Sequence, residues 1–364
     1  MNKEMGEVHT PLLLVEEIYS LLNPMIEKKE HIDLYEPGVG PGIFLDNYSY
    51  LYKTTYNGCE INTNYQYDIS YIKHIDFFKD ELNTYDVILG NLPFNHGEVH
   101  TPSKTSSTKK SKTIWTSMLK KCVAHLRPNG IGAFIIPCIW LKPDKENIYD
   151  LLTSKRIHYL KLFDAPTSNK LFSYHCQTPV CYVIFENINK PELTIYDRDK
   201  WIKFQLYKNY CIPTTNIEMM QKSLKNIKEK NLSVLVPIKI ACMKKKIIEE
   251  KTEDTTKHCI LTSMHLPDKI QYFYSNVEGA YQNIPKIILA HKRLPIPYYD
   301  KEGKYGIYGR DIYIFIGDKL DILYDYLCKQ EIQLMIKSFT IRMNFYEKYI
   351  FDYIVDPRKI EIKN

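Results

Sequence analysis

From the start of the chain to about residue 190, short apolar runs alternate with amphipathic segments, the pattern of a sheet wrapped by helices. Leu12, Val15, Ile18 and Leu22 recur at helical spacing and predict a first helix. "HIDLY" (31–35), "TYNGCE" (55–60), "YIKHID" (71–76), "YDVILG" (85–90) and "IGAFIIP" (131–137) predict successive strands. Ile114, Met118, Leu119, Cys122, Val123 and Leu126 mark a helix before the last of these, stopped by Pro128 and Gly130 of "RPNG". "IHYLKLF" (157–163) and "PVCYVIF" (179–185) complete a predicted seven-stranded α/β sheet. The polar, proline-bearing "NINKPELTIYDRDK" (187–200) predicts a junction between a first domain, 1–190, and a second, 200–364. Beyond it come Lys-rich helical stretches, the turn-rich "RLPIPYYDKEGKYGIYGRD" (293–311) and a helical tail. A length of 364 residues suits two cores.

Composition narrows the setting more than the chemistry. The N-terminus offers only the short apolar run Leu12, Leu13, Leu14 and Val15, and no stretch is long enough to cross a bilayer, so a soluble, cytoplasmic protein is expected with no membrane partner. Its 9 cysteines lack paired spacing and are expected as reduced, mostly buried thiols. His175, Cys176 and Cys181 lack a fourth ligand at suitable spacing, so no metal site is expected. The net charge is only +6, yet lysines gather at Lys109, Lys110 and Lys112 and again at Lys244, Lys245 and Lys246. Such runs are usually solvated surface until a second feature points to nucleic acid.

That feature begins with "EPGVGPGIF" (36–44) after the first strand, where Gly38, Gly40 and Gly42 stand two apart. A nicotinamide-binding turn wants glycine at Ile43, and a P-loop wants Gly-Lys-Ser/Thr, so neither phosphate cradle fits. A strand ending in acid and glycines instead lets backbone approach a ligand without phosphate, such as the amino-acid part of S-adenosylmethionine. Glu60, at the end of the second strand, is placed for two ribose hydroxyls; Asp76 and Phe77 of "DFF" close the third, suited to an adenine amino group and ring. Each alone reads as an ordinary strand-end acid or core aromatic, but the ordered series points to a ligand site.

"NLPF", Asn91 to Phe94, follows the fourth strand. An exocyclic amine on a base is a poor nucleophile because its lone pair is delocalised. Two acceptors bonding its N–H groups out of the ring plane favour a tetrahedral nitrogen: the Asn91 side-chain oxygen and the Leu92 main-chain carbonyl. Pro93 fixes φ and biases Leu92 toward extended backbone, while Phe94 offers a face on which an extruded base stacks.

On these motifs the chain resembles the N6-adenine DNA methyltransferases of the amino-methyltransferase class, in the group with the methionine-contacting motif first and the target-recognition domain last. The resemblance covers residues 5 to about 186 and includes "GEVHTPLLLVEEI", "EPGVGPGIF", "CEI" (59–61), "DFF", "NLPF" and "IWTSMLKKCVAHLRPNGIGAFIIPCIWL" (114–141). It implies a Rossmann-like S-adenosylmethionine-dependent methyltransferase domain followed by a mixed target-recognition domain. It places Thr10 and Pro11 by the methionine moiety, Glu36, Pro37 and Gly38 at the donor's centre, and Glu60, Ile61, Asp76 and Phe77 around its adenosine. Asn91, Leu92, Pro93 and Phe94 would then hold the target adenine. The family's tetrad usually has proline second, where this chain has Leu92; Asn-Leu-Pro-aromatic is also similar to ribosomal RNA adenine dimethyltransferases.

"GEVHTP" occurs twice, at 6–11 and 97–102. The first copy runs into the predicted helix; the second runs into the polar, basic "SKTSSTKKSK", with Lys109, Lys110 and Lys112 set for phosphates if that loop closes over DNA. In the second domain Lys244, Lys245, Lys246, Lys292, Arg293, Arg310 and Arg342 are candidates for phosphate or guanine. The expected partners are double-stranded DNA and a cognate restriction endonuclease. The rival readings are RNA adenine methylation, protein glutamine methylation and a non-catalytic DNA-binding subunit that kept the fold.

Overall fold

The computed structural model describes residues 8–47, 53–68, 71–96, 112–226, 232, 247–248, 258–264, 270–275, 278–290, 296–307, 312–341 and 346–359. The chain divides into two compact units, Met1–Tyr210 and Cys211–Asn364.

In the first unit, helix α1 (Leu12–Ile26) precedes β1 (Ile32–Pro37), α2 (Ile43–Asp46), β2 (Thr54–Glu60), β3 (Ile72–His74) and β4 (Tyr85–Asn91). A short ladder, β5 (Asn95–His96) with β6 (Lys112–Thr113), leads into α3 (Trp115–Ala124) and the long β7 (Leu126–Pro137). Then follow α4 (Ile148–Thr153), β8 (Arg156–Phe163), α5 (Ala165–Leu171), β9 (Val180–Glu186), β10 (Glu192–Asp197) and β11 (Lys200–Phe204).

Among the described residues one sheet has the order β11-β10-β8-β9-β7-β4-β1-β2-β3. The run from β3 to β7 is parallel, and β9 enters antiparallel between β7 and β8. This is the doubly wound, Rossmann-like arrangement expected, with nine strands in place of seven. β10 pairs parallel with β8, and β11 folds back on β10 through Arg198 and Asp199, both at positive φ. The stretch 187–200 therefore holds a sheet strand, and the first unit runs on to Tyr210. α3 ends at Ala124, and "RPNG" lies inside β7 as an irregular opening with Asn129 at φ 60°.

α1 lays Leu14, Val15, Ile18, Tyr19, Leu22 and Ile26 on the sheet, into a core shared with Leu34, Val87, Leu89, Ala133 and Ile135. Leu12, expected on that face, is exposed: it is the first helical residue after the Pro11 cap and lies before the buried stripe begins. No helix among the described residues is long and apolar enough to cross a membrane.

The second unit carries α6 (Ile217–Asn226), β12 (Ile247–Ile248), β13 (His258–Met264), β14 (Ile270–Ser275), β15 (Lys286–Ala290), β16 (Pro297–Asp300), β17 (Tyr305–Ile307) and β18 (Ile312–Phe315). Helices α7 (Leu320–Leu327) and α8 (Gln330–Lys337) follow, consistent with a helical tail. The strands form sheets of order β12-β14-β13-β17 and β16-β15-β18. In the second of these Lys286, opposite Asp300 across β15 and β16, is fully buried and its Nζ donates to the Asp300 carboxylate at 2.7 Å.

Candidate functional site

The carboxyl ends of β1, β2 and β4 bring the glycine turn, Glu60 and the tetrad to one end of the sheet, where doubly wound folds take ligands. Gly38, Gly40 and Gly42 all have positive φ, at 80°, 56° and 85°. A Cβ added at Gly38 or Gly40 would meet nothing within 4 Å, so the turn faces open space. Its underside is tight: a Cβ on Gly58 of β2 would lie 2.8 Å from Val39 Cγ2 and 2.9 Å from the Glu36 carbonyl oxygen. The Gly38 and Val39 N–H groups both donate to the Cys59 carbonyl, at 2.9 and 3.1 Å, fixing the turn to β2.

Two carboxylates flank it. Glu60 accepts the Gly40 N–H on Oε2 and the Asn62 N–H on Oε1, each at 2.7 Å. Each oxygen keeps a further lone pair for a hydroxyl donor. Glu36 is 2% exposed and accepts from the Tyr56 hydroxyl. Burial pushes its carboxyl well above the usual carboxylate range; the Tyr56 bond opposes the shift, and Glu60 and Asp46 add to it. Tyr56 lies four residues before Glu60 on the same strand face, a period-two signal left unread in the sequence.

Gly90, at φ 154°, joins the tetrad to that acid: a Cβ there would sit 3.6 Å from Glu36 Cγ and Pro37 Cδ. Next, Asn91 Nδ2 donates to the Val8 carbonyl at 3.1 Å, so the first "GEVHTP" copy is tied to the tetrad. Thr10 and Pro11 follow Val8 after one intervening residue, His9, and Pro11 caps α1. The Leu92 side chain is wholly buried and its N–H points to the Ile135 carbonyl at 3.4 Å. Phe94 is half-buried against the same core as Val8, and its carbonyl accepts the Ile114 N–H at 3.3 Å.

Of the residues expected around an adenosine, one packs into the hydrophobic core. Phe77 is a core side chain, 6.4 Å between centroids from Tyr35, with Lys121 Nζ 4.8 Å from its ring centre. Phe78 is the exposed ring, at 47%. The reason is local: β3 ends at His74, so "DFF" lies in a turn where strand alternation no longer assigns faces. Asp76 caps that turn, its Oδ1 accepting the Phe78 N–H at 3.0 Å, and Ile61 is exposed beside Glu60.

Tyr174 was not singled out by sequence. It stands 73% exposed at φ 68°, after Ser173 at φ 51°, between buried Phe172 and Cys176. A bulky residue held there marks backbone set by its surroundings. The loop enters β9 at Val180, which pairs with Pro137 at the end of β7, so it lies at the same end of the sheet as Asn91.

Of the predicted nucleic-acid residues, Lys112 is described only as backbone in β6. Lys109, Lys110, Lys244, Lys245, Lys246, Lys292, Arg293, Arg310 and Arg342 lie outside the described residues, as does the second "GEVHTP" copy.

Residues 41–172 match the Eco57I restriction-modification methylase family. No protein of curated function matches the chain by sequence. Among solved structures it is similar to a class I S-adenosylmethionine-dependent methyltransferase from Listeria monocytogenes, at 14% identity over 55% of this chain and 67% of that one, with a TM-score of 0.40. A modification subunit of a type I restriction enzyme from Vibrio vulnificus matches at 16% identity over 62% of this chain and 54% of its own, TM-score 0.37. The type IIG restriction endonuclease BpuSI matches at 10% identity over 98% of this chain and 59% of its own, TM-score 0.44. The chain spans about half the length of the type I modification subunits it matches.

Proposed function

We propose that the chain is an S-adenosylmethionine-dependent DNA methyltransferase that methylates the N6 amine of an adenine swung out of duplex DNA. The observation that carries this reading is Asn91: its amide nitrogen is engaged by the Val8 carbonyl, which orients Oδ1 as an acceptor beside a glycine turn facing open space. That open turn, flanked by Glu36 and Glu60, fits a donor without phosphate. The family matched over residues 41–172 supports a restriction-modification setting.

When bound, S-adenosylmethionine supplies an electrophilic methyl group on a sulfonium. Glu60 would hold the ribose hydroxyls, Ile61 and Phe78 would border the adenine, and Thr10, Pro11 and Glu36 would border the methionine part. Asn91 Oδ1 and the Leu92 carbonyl take the two N–H groups of the target amine and draw its lone pair out of conjugation. No strong base is needed, because the amine is cationic once it carries the methyl group and then gives its proton to water. Phe94 stacks one face of the base, and Tyr174 presents a second ring at the same end of the sheet. The second unit reads the site sequence, with double-stranded DNA as substrate and a restriction subunit as partner.

The test is transfer of label from S-adenosylmethionine by the purified protein. Label at adenine N6 in A/T-containing duplex supports the reading. Exclusive labelling of RNA or protein moves the substrate to a rival class, and no transfer with intact donor binding points to a non-catalytic DNA-binding subunit.

A further inference from the structure

The loop after β2, residues 62–68, makes contacts that neither the glycine motif nor the tetrad accounts for. It begins in a turn, with the Asn64 N–H donating to Asn62 Oδ1 at 3.1 Å. Tyr65 then meets the first motif, its hydroxyl 3.4 Å from His9 Nε2. Tyr67 reaches back over the donor turn: its hydroxyl donates to the Gly40 carbonyl at 2.5 Å, and its ring stacks on His74 at the end of β3, centroids 5.8 Å apart and planes 23° from parallel.

Gly40 needs holding. It stands at φ 56° with nothing within 4 Å of a notional Cβ, and glycine passes readily between the two signs of φ, so the bonds made by its two peptides decide its orientation. Two side chains bond those peptides. Glu60 Oε2 takes the Gly40 N–H at 2.7 Å, and Tyr67 takes the carbonyl. On the donor-site reading Glu60 would also hold the ribose hydroxyls, whereas Tyr67 bonds the turn from its other side, through the Gly40 carbonyl.

We propose that Tyr67 is a positioning residue for the methyl donor, holding the Gly40 carbonyl so that the turn keeps its ligand-ready shape. This rests on the reading of that turn as a donor site. Fixed by its stack on His74, the hydroxyl preorganises the turn, so binding does not have to select it from alternative glycine conformers.

Tyr67→Phe removes the hydroxyl and keeps the ring. Calorimetric titration of the full chain with S-adenosylhomocysteine should show Kd raised about fivefold, the scale of one net hydrogen bond. In turnover the loss should fall on the KM for S-adenosylmethionine, with kcat at saturating donor and the KM for DNA held. His74→Ala, which removes the stack, should weaken donor binding in the same direction by a smaller factor. Unchanged donor Kd in Tyr67→Phe would overturn the proposal, as would a fall in kcat accompanied by a lowered melting temperature of the unliganded chain, the mark of a merely structural contact. If the wild-type chain binds no S-adenosylhomocysteine, the donor-site reading itself fails and this one with it.

Discussion

The proposed function gives Asn91 two separable tasks, and three substitutions divide them. Its Nδ2 donates to the Val8 carbonyl at 3.1 Å, and its Oδ1 is the acceptor assigned to the target amine. Losing the first bond removes a net contribution of about 0.5–1.5 kcal/mol, which weakens docking of the opening segment, and hence donor affinity, by about two- to tenfold. Losing the second removes an acceptor that acts in the transition state, typically worth about 10²–10³ in rate. Asn91→Ala loses both and should show the two deficits together. Asn91→Asp keeps oxygens toward the amine and sets a carboxylate against the Val8 carbonyl, so donor affinity should fall further than in Asn91→Ala while part of the chemical rate survives. Asn91→Gln keeps both groups on a longer arm and should restore neither in full. Single-turnover transfer to adenine-containing duplex, with donor Kd measured separately, distinguishes these outcomes. An Asn91→Ala enzyme whose single-turnover rate stays within a few-fold of wild type would refute the acceptor role, and an Asn91→Asp enzyme with wild-type donor affinity would refute the tie to Val8.

Phe77→Ala should destabilise the protein by about 3–5 kcal/mol as a core truncation, whereas Phe78→Ala should spare thermal stability and raise the donor Kd; denaturation and titration of both variants check this. Gly58→Ala drives a methyl against Val39 and the Glu36 backbone and should cost about 1–3 kcal/mol together with donor affinity, read by the same two measurements. Glu36 has its carboxyl pKa raised by burial, so its share of stability is full below its ordinary value and is lost as pH rises through the raised one. The unliganded chain should therefore lose melting temperature as pH climbs above the ordinary carboxylate range, and Glu36→Gln should flatten that fall; an unaltered slope in the variant would remove the assignment.

The central strands were legible because a sheet covered on both faces writes itself as apolar runs, as in Val87 to Leu89 and Ala133 to Ile136. β10 and β11 were not, since outer strands alternate polar with apolar and Pro191 reads as a break. The glycine turn and tetrad stood out because their residues are contiguous in sequence. The Tyr56–Glu36 bond and the Asn91–Val8 tie are not local: each depends on strand register or chain return, which no short window encodes. Phe77 was assigned to the ligand because "DFF" reads as the close of the third strand, whereas β3 ends three residues before Phe77, at His74. Tyr174 was passed over because composition does not reveal a positive φ.

The Lys286–Asp300 pair bears on how the second unit avoids misfolding. These residues face each other at one end of the β15–β16 ladder, at 0% and 2% exposure, and burial lowers the lysine's pKa while Asp300 opposes the shift. Were either strand to slide by a single position, every side chain on it would change faces and each charge would lose its counterpart. Stranding one such charge costs about 3–5 kcal/mol, a sizeable fraction of what holds a domain of this size together. The hairpin thereby rejects its nearest competitor during assembly, at a site remote in sequence from the tetrad.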